Sequence, residues 1–269
     1  MVKGKKKAHR GDLQRGGNLV PGFHAVREAL IRGNPPVMNL WIAREKETDR
    51  IREVLKLAEA GGVPVTYRDR SALDAMFPDI PHQGIAAEAG AFSYTDKDEI
   101  IEAALREPGR GLILAADHIT DEGNLGALIR AAAFFGVHGL ILPKDRSARV
   151  TPRVMKRSSG ACACLPVARV VNLGRALDYA EKKGFWLIGA DGNGPETVYE
   201  VDWNRDVVLV LGREDRGLTR GVRERCHQVV RIPGHGVVES LNVSVAGGVI
   251  LSEINRQRQA RFSPRGDLQ

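Results

Sequence analysis

Apolar residues follow two patterns along the chain, and each pattern predicts a type of secondary structure. In the first ninety residues, helical spacing alternates with short apolar runs that glycine and proline interrupt, which predicts three helices and three strands. The predicted helices are 21–32, 49–60 and 71–78, and the predicted strands are 39–43, 63–67 and 82–88. Together they predict a small α/β unit of about 75 residues, which is long enough to fold alone.

A second α/β unit is predicted after the polar stretch from Gly90 to Asp98. Helical patterns and apolar runs alternate again, which predicts a mostly parallel sheet with helices on both faces. The predicted strands are 111–116, 139–142, 185–190 and 207–211; the predicted helices are 98–106, one after Asn124, one around 175–183 and a long one after Asn242. In such sheets, ligands bind beyond the carboxyl ends of the strands.

These patterns divide the chain into five segments. Residues 1–17 are rich in Lys and Gly and lack apolar periodicity, which predicts a disordered basic tail. The smaller α/β domain covers 18–90, a linker covers 91–97, the larger domain covers 98–260, and a second tail covers 261–269.

The charge of the chain favours a polyanionic partner such as nucleic acid. The formal net charge is +7, six of the first fifteen residues are Lys or Arg, and a second basic concentration runs from Arg213 to Arg231. A solvated surface without a partner is the alternative interpretation of each concentration.

Composition also excludes several classes of protein. No apolar run approaches the roughly 20 residues that span a membrane, and the amino-terminal lysines precede no apolar signal segment. Cys162, Cys164 and Cys226 lack the spacing of metal ligands, so we expect small buried thiols in a reducing cytoplasm, without a metal. The motifs of dinucleotide-binding, P-loop, serine-hydrolase and zinc-protease sites are absent as well.

Three polar clusters remain at predicted strand ends. In the first, Asn124 lies where a helix N-cap is expected, and Gly126, one turn before Arg130, leaves room on that face of the helix. In the second, Gly212 and Gly217 allow a tight turn.

The turn between Gly212 and Gly217 carries Glu214, and this turn could approach a ligand closely. In the third cluster, Ser240 and Asn242 offer a hydroxyl and an amide just before the last helix.

In chain order, these clusters resemble the three motifs of the SpoU (TrmH) family of RNA ribose 2′-O-methyltransferases. The matching segments are Asn124-x-Gly126-x-x-x-Arg130, Leu211-Gly-x-Glu214-x-x-Gly217 and Ile232-Pro…Ser240-Leu-Asn-Val-Ser244. The first unit, with Gly22-Phe-His-Ala-Val26 and His82-Gln-Gly84, resembles the L30e-like substrate-binding domain of the bacterial 23S rRNA guanosine branch. The resemblance covers residues 18–258.

The resemblance implies S-adenosylmethionine as methyl donor, a deep trefoil knot in the carboxyl-terminal domain, and a homodimer. It implies that the adenosine moiety lies among Gly212, Ile232 and Leu241, beside Leu211 and Gly217, and that backbone groups hold it.

The resemblance also implies catalytic roles for Arg130, Asn124, Glu214, Ser240 and Asn242. Arg130 matches the family's proposed catalytic arginine, but a guanidinium is a poor base because it stays protonated. Either Arg130 has lost its proton, or it orients the substrate and stabilises the developing alkoxide. We favour the second role. We expect Glu214 to organise its loop, because attraction to a charge that is lost in the transition state does not accelerate transfer. Ser240 and Asn242 are expected to hydrogen-bond the substrate or to fix Arg130.

The leading prediction is 2′-O-methylation of a guanosine ribose in 23S rRNA, in the P-loop of the peptidyl-transferase centre. Three alternatives stay open: a tRNA guanosine methyltransferase, a ribosomal resistance methyltransferase with the same L30e-like domain, and a non-catalytic RNA-binding factor of the same fold. A methyltransferase for small metabolites is disfavoured by the basic tail and the arginine cluster.

Overall fold

The computed structural model of the protein describes residues 18–44, 48–78, 80–106, 110–213, 216–237 and 240–260. Both predicted tails, 1–17 and 261–269, lie outside the described residues, and so does Glu214.

The first unit is a four-stranded sheet with strand order β1-β4-β2-β3. Its elements are β1 (Asn18–Pro21), α1 (Phe23–Arg32), β2 (Val37–Ala43), α2 (Asp49–Ala60), β3 (Val65–Arg68), α3 (Arg70–Met76) and β4 (Ile85–Ala89). Helices α1 and α2 cover one face and α3 covers the other, since alternate residues of β2 pack into two different clusters. All three predicted helices and all three predicted strands are present, and β1 is an additional strand that pairs with β4.

His82 has a structural role in this unit. It is buried, its Nε2 lies 2.8 Å from Asp74 Oδ1, and its Nδ1 accepts a hydrogen bond from the backbone of Gly84 at 3.2 Å. Both ring nitrogens therefore have protein partners.

The second unit is a seven-stranded sheet with strand order β7-β6-β5-β10-β8-β11-β9, in which every described pairing is parallel. Its strands are β5 (Leu112–Ala116), β6 (Gly139–Pro143), β7 (Val167–Val170), β8 (Trp186–Ala190), β9 (Glu196–Thr197), β10 (Val207–Leu211) and β11 (Gln228–Arg231). Its helices are α4 (Lys97–Ala104), α5 (Glu122–Phe134), α6 (Pro152–Arg157), α7 (Leu173–Lys182), α8 (Arg220–Arg223) and α9 (Val243–Ala260). The predicted parallel α/β fold is confirmed.

The sequence pattern did not reveal β7, β9, β11, α6 or α8. Each has six residues or fewer, so it holds too few apolar positions to establish a period. By contrast, β5 is buried along its whole length, and its residues alternate between the two faces of the sheet. Leu112 and Leu114 pack toward α5 and α9, whereas Ile113 and Ala115 pack toward α4 and α7.

The two units share one hydrophobic core and meet along a close junction. Strand β1 packs on α6, and α1 packs on a 3-10 helix at Ala161–Ala163. Gly160 has φ +84°, and a methyl group there would come within 2.6 Å of the carbonyl oxygen of His24. The predicted linker takes part as well, because Phe92 is buried and the backbone N–H of Thr95 donates to Val167 at 2.8 Å.

Cys162 matches the expectation of a buried thiol, whereas Cys226 is only half-buried. Burial raises the pKa of the Cys162 thiol to about 11 and that of Cys226 to about 12. The prediction is wrong for Cys164, which is exposed at the junction and donates a weak hydrogen bond from Sγ to Glu28 at 3.4 Å.

Within the described segments, no helix combines the length and the hydropathy that a membrane crossing requires.

We expect Gly160→Ala to destabilise the protein more than Gly136→Ala does. Both glycines have positive φ, which costs an alanine about 1 kcal/mol, but nothing lies within 4 Å of a methyl group at Gly136. At Gly160 the clash with His24 adds to that strain, so the free energy of unfolding should fall by about 2 kcal/mol or more. Urea denaturation measures both losses, and X-ray scattering reports whether the units separate. Equal losses would contradict the close junction.

Candidate active site

Three polar stretches meet where strands β5, β10 and β11 end. Because these strands are parallel and lie in one sheet, the stretches that follow them emerge at the same edge. These stretches are 117–124, 212–219 and 232–242. They contain the second and third sequence clusters and Asn124 of the first, whose Gly126 and Arg130 follow on α5.

The turn after β10 is tight. The backbone groups of Arg213 and Gly217 bond each other in both directions at 2.9 Å. A methyl group at Gly212 would come within 2.5 Å of the backbone nitrogen of Leu218, and Gly217 has φ +62°. Glycine is therefore required at both positions, for close approach at one and for backbone conformation at the other.

A buried carboxylate, which sequence reasoning missed, fixes this turn to the end of β5. Asp117 Oδ2 accepts a hydrogen bond from the backbone of Thr219 at 2.7 Å, and Oδ1 lies 2.6 Å from Nδ1 of His118. The backbone N–H of Asp117 also donates to Leu211 at 2.7 Å. The available signal was an acidic residue directly after a wholly apolar strand, since a buried carboxylate needs partners.

The predicted N-cap at Asn124 is wrong. Asp121 caps α5, and its carboxylate accepts a hydrogen bond from the backbone N–H of Asn124 at 2.7 Å. Asn124 therefore lies inside the first turn, where its side chain points to another element. Its Oδ1 accepts a hydrogen bond from Nδ2 of Asn242 at 2.9 Å.

Asn242 joins the first and third clusters. While its Nδ2 donates to Asn124, its Oδ1 accepts hydrogen bonds from the backbone N–H of Ser244 at 3.0 Å and from the Ser244 hydroxyl at 2.6 Å. The same side-chain amide thus accepts hydrogen bonds from the first turn of α9 and fixes the start of this helix to α5. Farther along α9, a methyl group at Gly247 would lie 2.6 Å from a methyl of Leu128, so the two helices pack closely.

The space beside Gly126 is occupied by a side chain that the sequence did not predict. A methyl group at Gly126 would come within 2.6 Å of Cβ of Arg157, because α6 packs directly on α5. The gap therefore admits α6 and is not left open beside Arg130. Arg130 is exposed one turn later, and no hydrogen bond joins it to Ser240 or Asn242.

The loop after β11 lies at the same edge of the sheet as the β10 turn. The main-chain groups of residues 232–237 make no backbone hydrogen bond with any described residue. Ile232 is half-buried, whereas Leu241 and Ser240 are exposed. This loop and the β10 turn thus place main-chain groups beside the half-buried side chain of Ile232, while Leu211 is buried below the turn. A combination of main-chain polar groups and apolar side chains suits a partly polar heterocycle.

The described residues contain no group of three His, Cys, Asp or Glu side chains that could hold a metal ion.

Comparison with known proteins identifies the family. The profile of the SpoU rRNA methylase family matches residues 111–252. The chain belongs to this family. A profile for RNA 2′-O ribose methyltransferase substrate binding matches residues 19–95, so the first unit corresponds to a substrate-binding domain of such enzymes. The chain is therefore an RNA methyltransferase, as the sequence motifs predict.

Three relatives illustrate the range of the family. The 23S rRNA (guanosine-2′-O-)-methyltransferase RlmB of Pseudomonas aeruginosa is 41% identical over 240 residues, which are 89% of this chain and 96% of that protein. The SpoU methyltransferase AviRb of Streptomyces viridochromogenes, in complex with the cofactor AdoMet, is 28% identical, with a TM-score of 0.76 over 94% of this chain and 95% of that one. A TrmH/SpoU tRNA modifying enzyme of A. aeolicus is 27% identical, with a TM-score of 0.53 over 61% of this chain and 83% of that one.

We expect Asn242→Asp to lower the free energy of unfolding by about 1 kcal/mol, because it keeps the cap but loses the hydrogen bond to Asn124. Asn172→Asp is the matched control: Asn172 caps α7 on the opposite face of the sheet through a single hydrogen bond to Arg175, and aspartate replaces that bond. Urea denaturation compares the two variants. If Asn242→Asp is as stable as Asn172→Asp, the bond between the clusters contributes nothing.

Proposed function

We propose that this protein transfers a methyl group from S-adenosylmethionine to the ribose 2′-oxygen of a guanosine in 23S rRNA, in the P-loop of the peptidyl-transferase centre. The observation that carries the proposal is the Asn124–Asn242 hydrogen bond, which joins two family motifs beside the β10 turn. The Pseudomonas relative, which has the same substrate in its name, aligns with nearly its full length. Ribosomal RNA as substrate also favours a cytoplasmic location.

The loops at this edge fit S-adenosylmethionine. The β10 turn, with Gly212 and Gly217, and the main chain from Ile232 onward would hold the adenosine. The exposed Leu241 would flank it, and the buried Leu211 would support the turn from the end of β10. S-adenosylmethionine supplies an electrophilic methyl group on a positively charged sulfur. The protein's own contribution is to orient the ribose hydroxyl and to exclude competing nucleophiles.

In this proposal Arg130 orients the RNA and stabilises charge. It is exposed, and no carboxylate among the described residues pairs with it, so its guanidinium is available to the ribose or an adjacent phosphate. As the hydroxyl loses its proton to a separate acceptor, the guanidinium stabilises the negative charge on the 2′-oxygen.

The remaining polar residues position these groups. Asn124 and Asn242 fix α5, which carries Arg130, to the start of α9. Ser240 is exposed beside them and would hydrogen-bond the substrate. Glu214 would organise the β10 turn, as the sequence predicts.

Methyl transfer with labelled S-adenosylmethionine tests the function. The protein is offered 23S rRNA, 16S rRNA and bulk tRNA separately, and the product is mapped. We expect label on one guanosine ribose of 23S rRNA, and we expect Arg130→Ala to abolish it without changing the affinity for S-adenosylmethionine in calorimetry. Label in tRNA would show that tRNA, and not 23S rRNA, is the substrate. Binding of S-adenosylmethionine without label in any RNA would favour a non-catalytic factor, and an active Arg130→Ala would remove the role of Arg130.

We also propose that the protein is a homodimer through the face that α5 and α9 share. Val245 on α9, Leu241 in the preceding loop and Phe134 at the end of α5 are large apolar residues that stay exposed in the single chain. A second copy of the chain would bury them.

Sedimentation should therefore give a dimer for the native protein and a monomer for Val245→Asp. Val171→Asp is the control, because Val171 is also exposed but lies just before α7 on the opposite face. A monomeric native protein, or a Val245→Asp variant that stays dimeric, would contradict this interface.

A further inference from the structure

We infer that Arg153 and Arg157 of α6 bind phosphates of the RNA strand beside the nucleotide that is methylated. The inference rests on the proposed function, and it identifies α6 as the part of the protein that aligns the substrate between the first unit and Arg130. Four features carry it: the position of α6, the direction of its side chains, the lack of counter-charge and the distance to Arg130.

Helix α6 lies between the two units. It packs on α5 on one side and on β1 on the other, so an RNA strand that contacts both units close to this junction would run beside it. Its start is fixed by Thr151, whose hydroxyl accepts a hydrogen bond from the backbone of Val154 at 3.3 Å.

The side chains of α6 have divided roles. Val154 and Met155 are buried in the shared core. Lys156 lies against Gly22 of the first unit, and burial lowers the pKa of its ammonium group. The two arginines are exposed and, being four residues apart, they lie on the same side of the helix.

Charge pairing distinguishes these two arginines from several others of the described chain. Among the described residues, no carboxylate forms an ion pair with Arg153, Arg157 or Arg130. Many other arginines of the chain do have a carboxylate partner: Arg27, Arg52, Arg205, Arg220, Arg223, Arg225 and Arg256. Three guanidinium groups on the neighbouring helices α5 and α6, none paired with a described carboxylate, favour a partner that supplies several anions, and an RNA backbone has that property.

The close packing at Gly126 sets the distance between Arg157 on α6 and Arg130 on α5. Since the stem of Arg157 lies over Gly126, and Arg130 is four residues farther along α5, the two arginines are separated by about 6 Å along that helix. This places Arg157 within about one nucleotide of the ribose that Arg130 would contact. Arg153 lies one turn away on α6 and extends the same cationic surface.

The test compares Arg153→Gln/Arg157→Gln with Arg175→Gln/Lys182→Gln in methylation of 23S rRNA. The control pair removes the same charge from exposed positions of α7, on the opposite face of the sheet. For the α6 pair we expect the KM for RNA to rise about tenfold, with kcat at saturating RNA and the affinity for S-adenosylmethionine unchanged. The slope of log affinity against log salt should fall by about 1.4 to 1.8, which corresponds to two lost phosphate contacts. The control should match the native protein.

A further variant separates charge from structure. Arg153→Lys/Arg157→Lys keeps the charge and should restore most of the affinity, whereas urea denaturation should find all three variants as stable as the native protein. If the α6 pair and the α7 control behave alike, the inference fails while the proposed function stands. If the native protein labels no 23S rRNA, the proposed function fails, and this inference fails with it.

Discussion

The side-chain amide of Asn242 is the interaction on which the arrangement of the site depends. An amide can accept and donate at the same time, and here its oxygen caps α9 while its nitrogen binds Asn124, which is 118 positions away in the chain. Aspartate would supply only the cap, and alanine would supply neither. Gly247 allows α9 to pack closely on Leu128 of α5. The packing of these two helices therefore sets the position of Arg130, on α5, relative to the start of α9.

The remaining walls of the site are mainly backbone. Asp117 is buried and holds the β5 and β10 ends together, because its Oδ2 accepts a hydrogen bond from Thr219 and its backbone N–H donates to Leu211, while Oδ1 contacts the neighbouring His118. A ligand that lies against the Gly212–Gly217 turn would be recognised by main-chain groups. Such recognition would account for Gly212 and Gly217 in the second motif, beside the charged and polar side chains that the motifs also contain.

The junction between the units fixes the position of α6. Gly22 of the first unit packs against Lys156 of α6, and α1 packs against the segment at Gly160 that follows α6. The short helix separates its residues accordingly, with apolar side chains in the core, Lys156 at the junction and arginines toward solvent. This arrangement would hold Arg153 and Arg157 in place for the RNA contact that we infer.

The sequence by itself determined the fold class, the longer helices and strands, and the three motifs, because these depend on local periodicity and on residue types at fixed spacing. It correctly placed the tight turn at Gly212 and Gly217, since only glycine tolerates both the close approach and the positive φ. Only the tertiary structure decided that Asp121, and not Asn124, caps α5, and that Asn124 binds Asn242 instead. It also decided that Arg157 fills the space at Gly126 and that α6 joins the two units. These contacts connect residues that are distant in the chain, and the periodicity of a single segment contains no information about which distant segment packs against it.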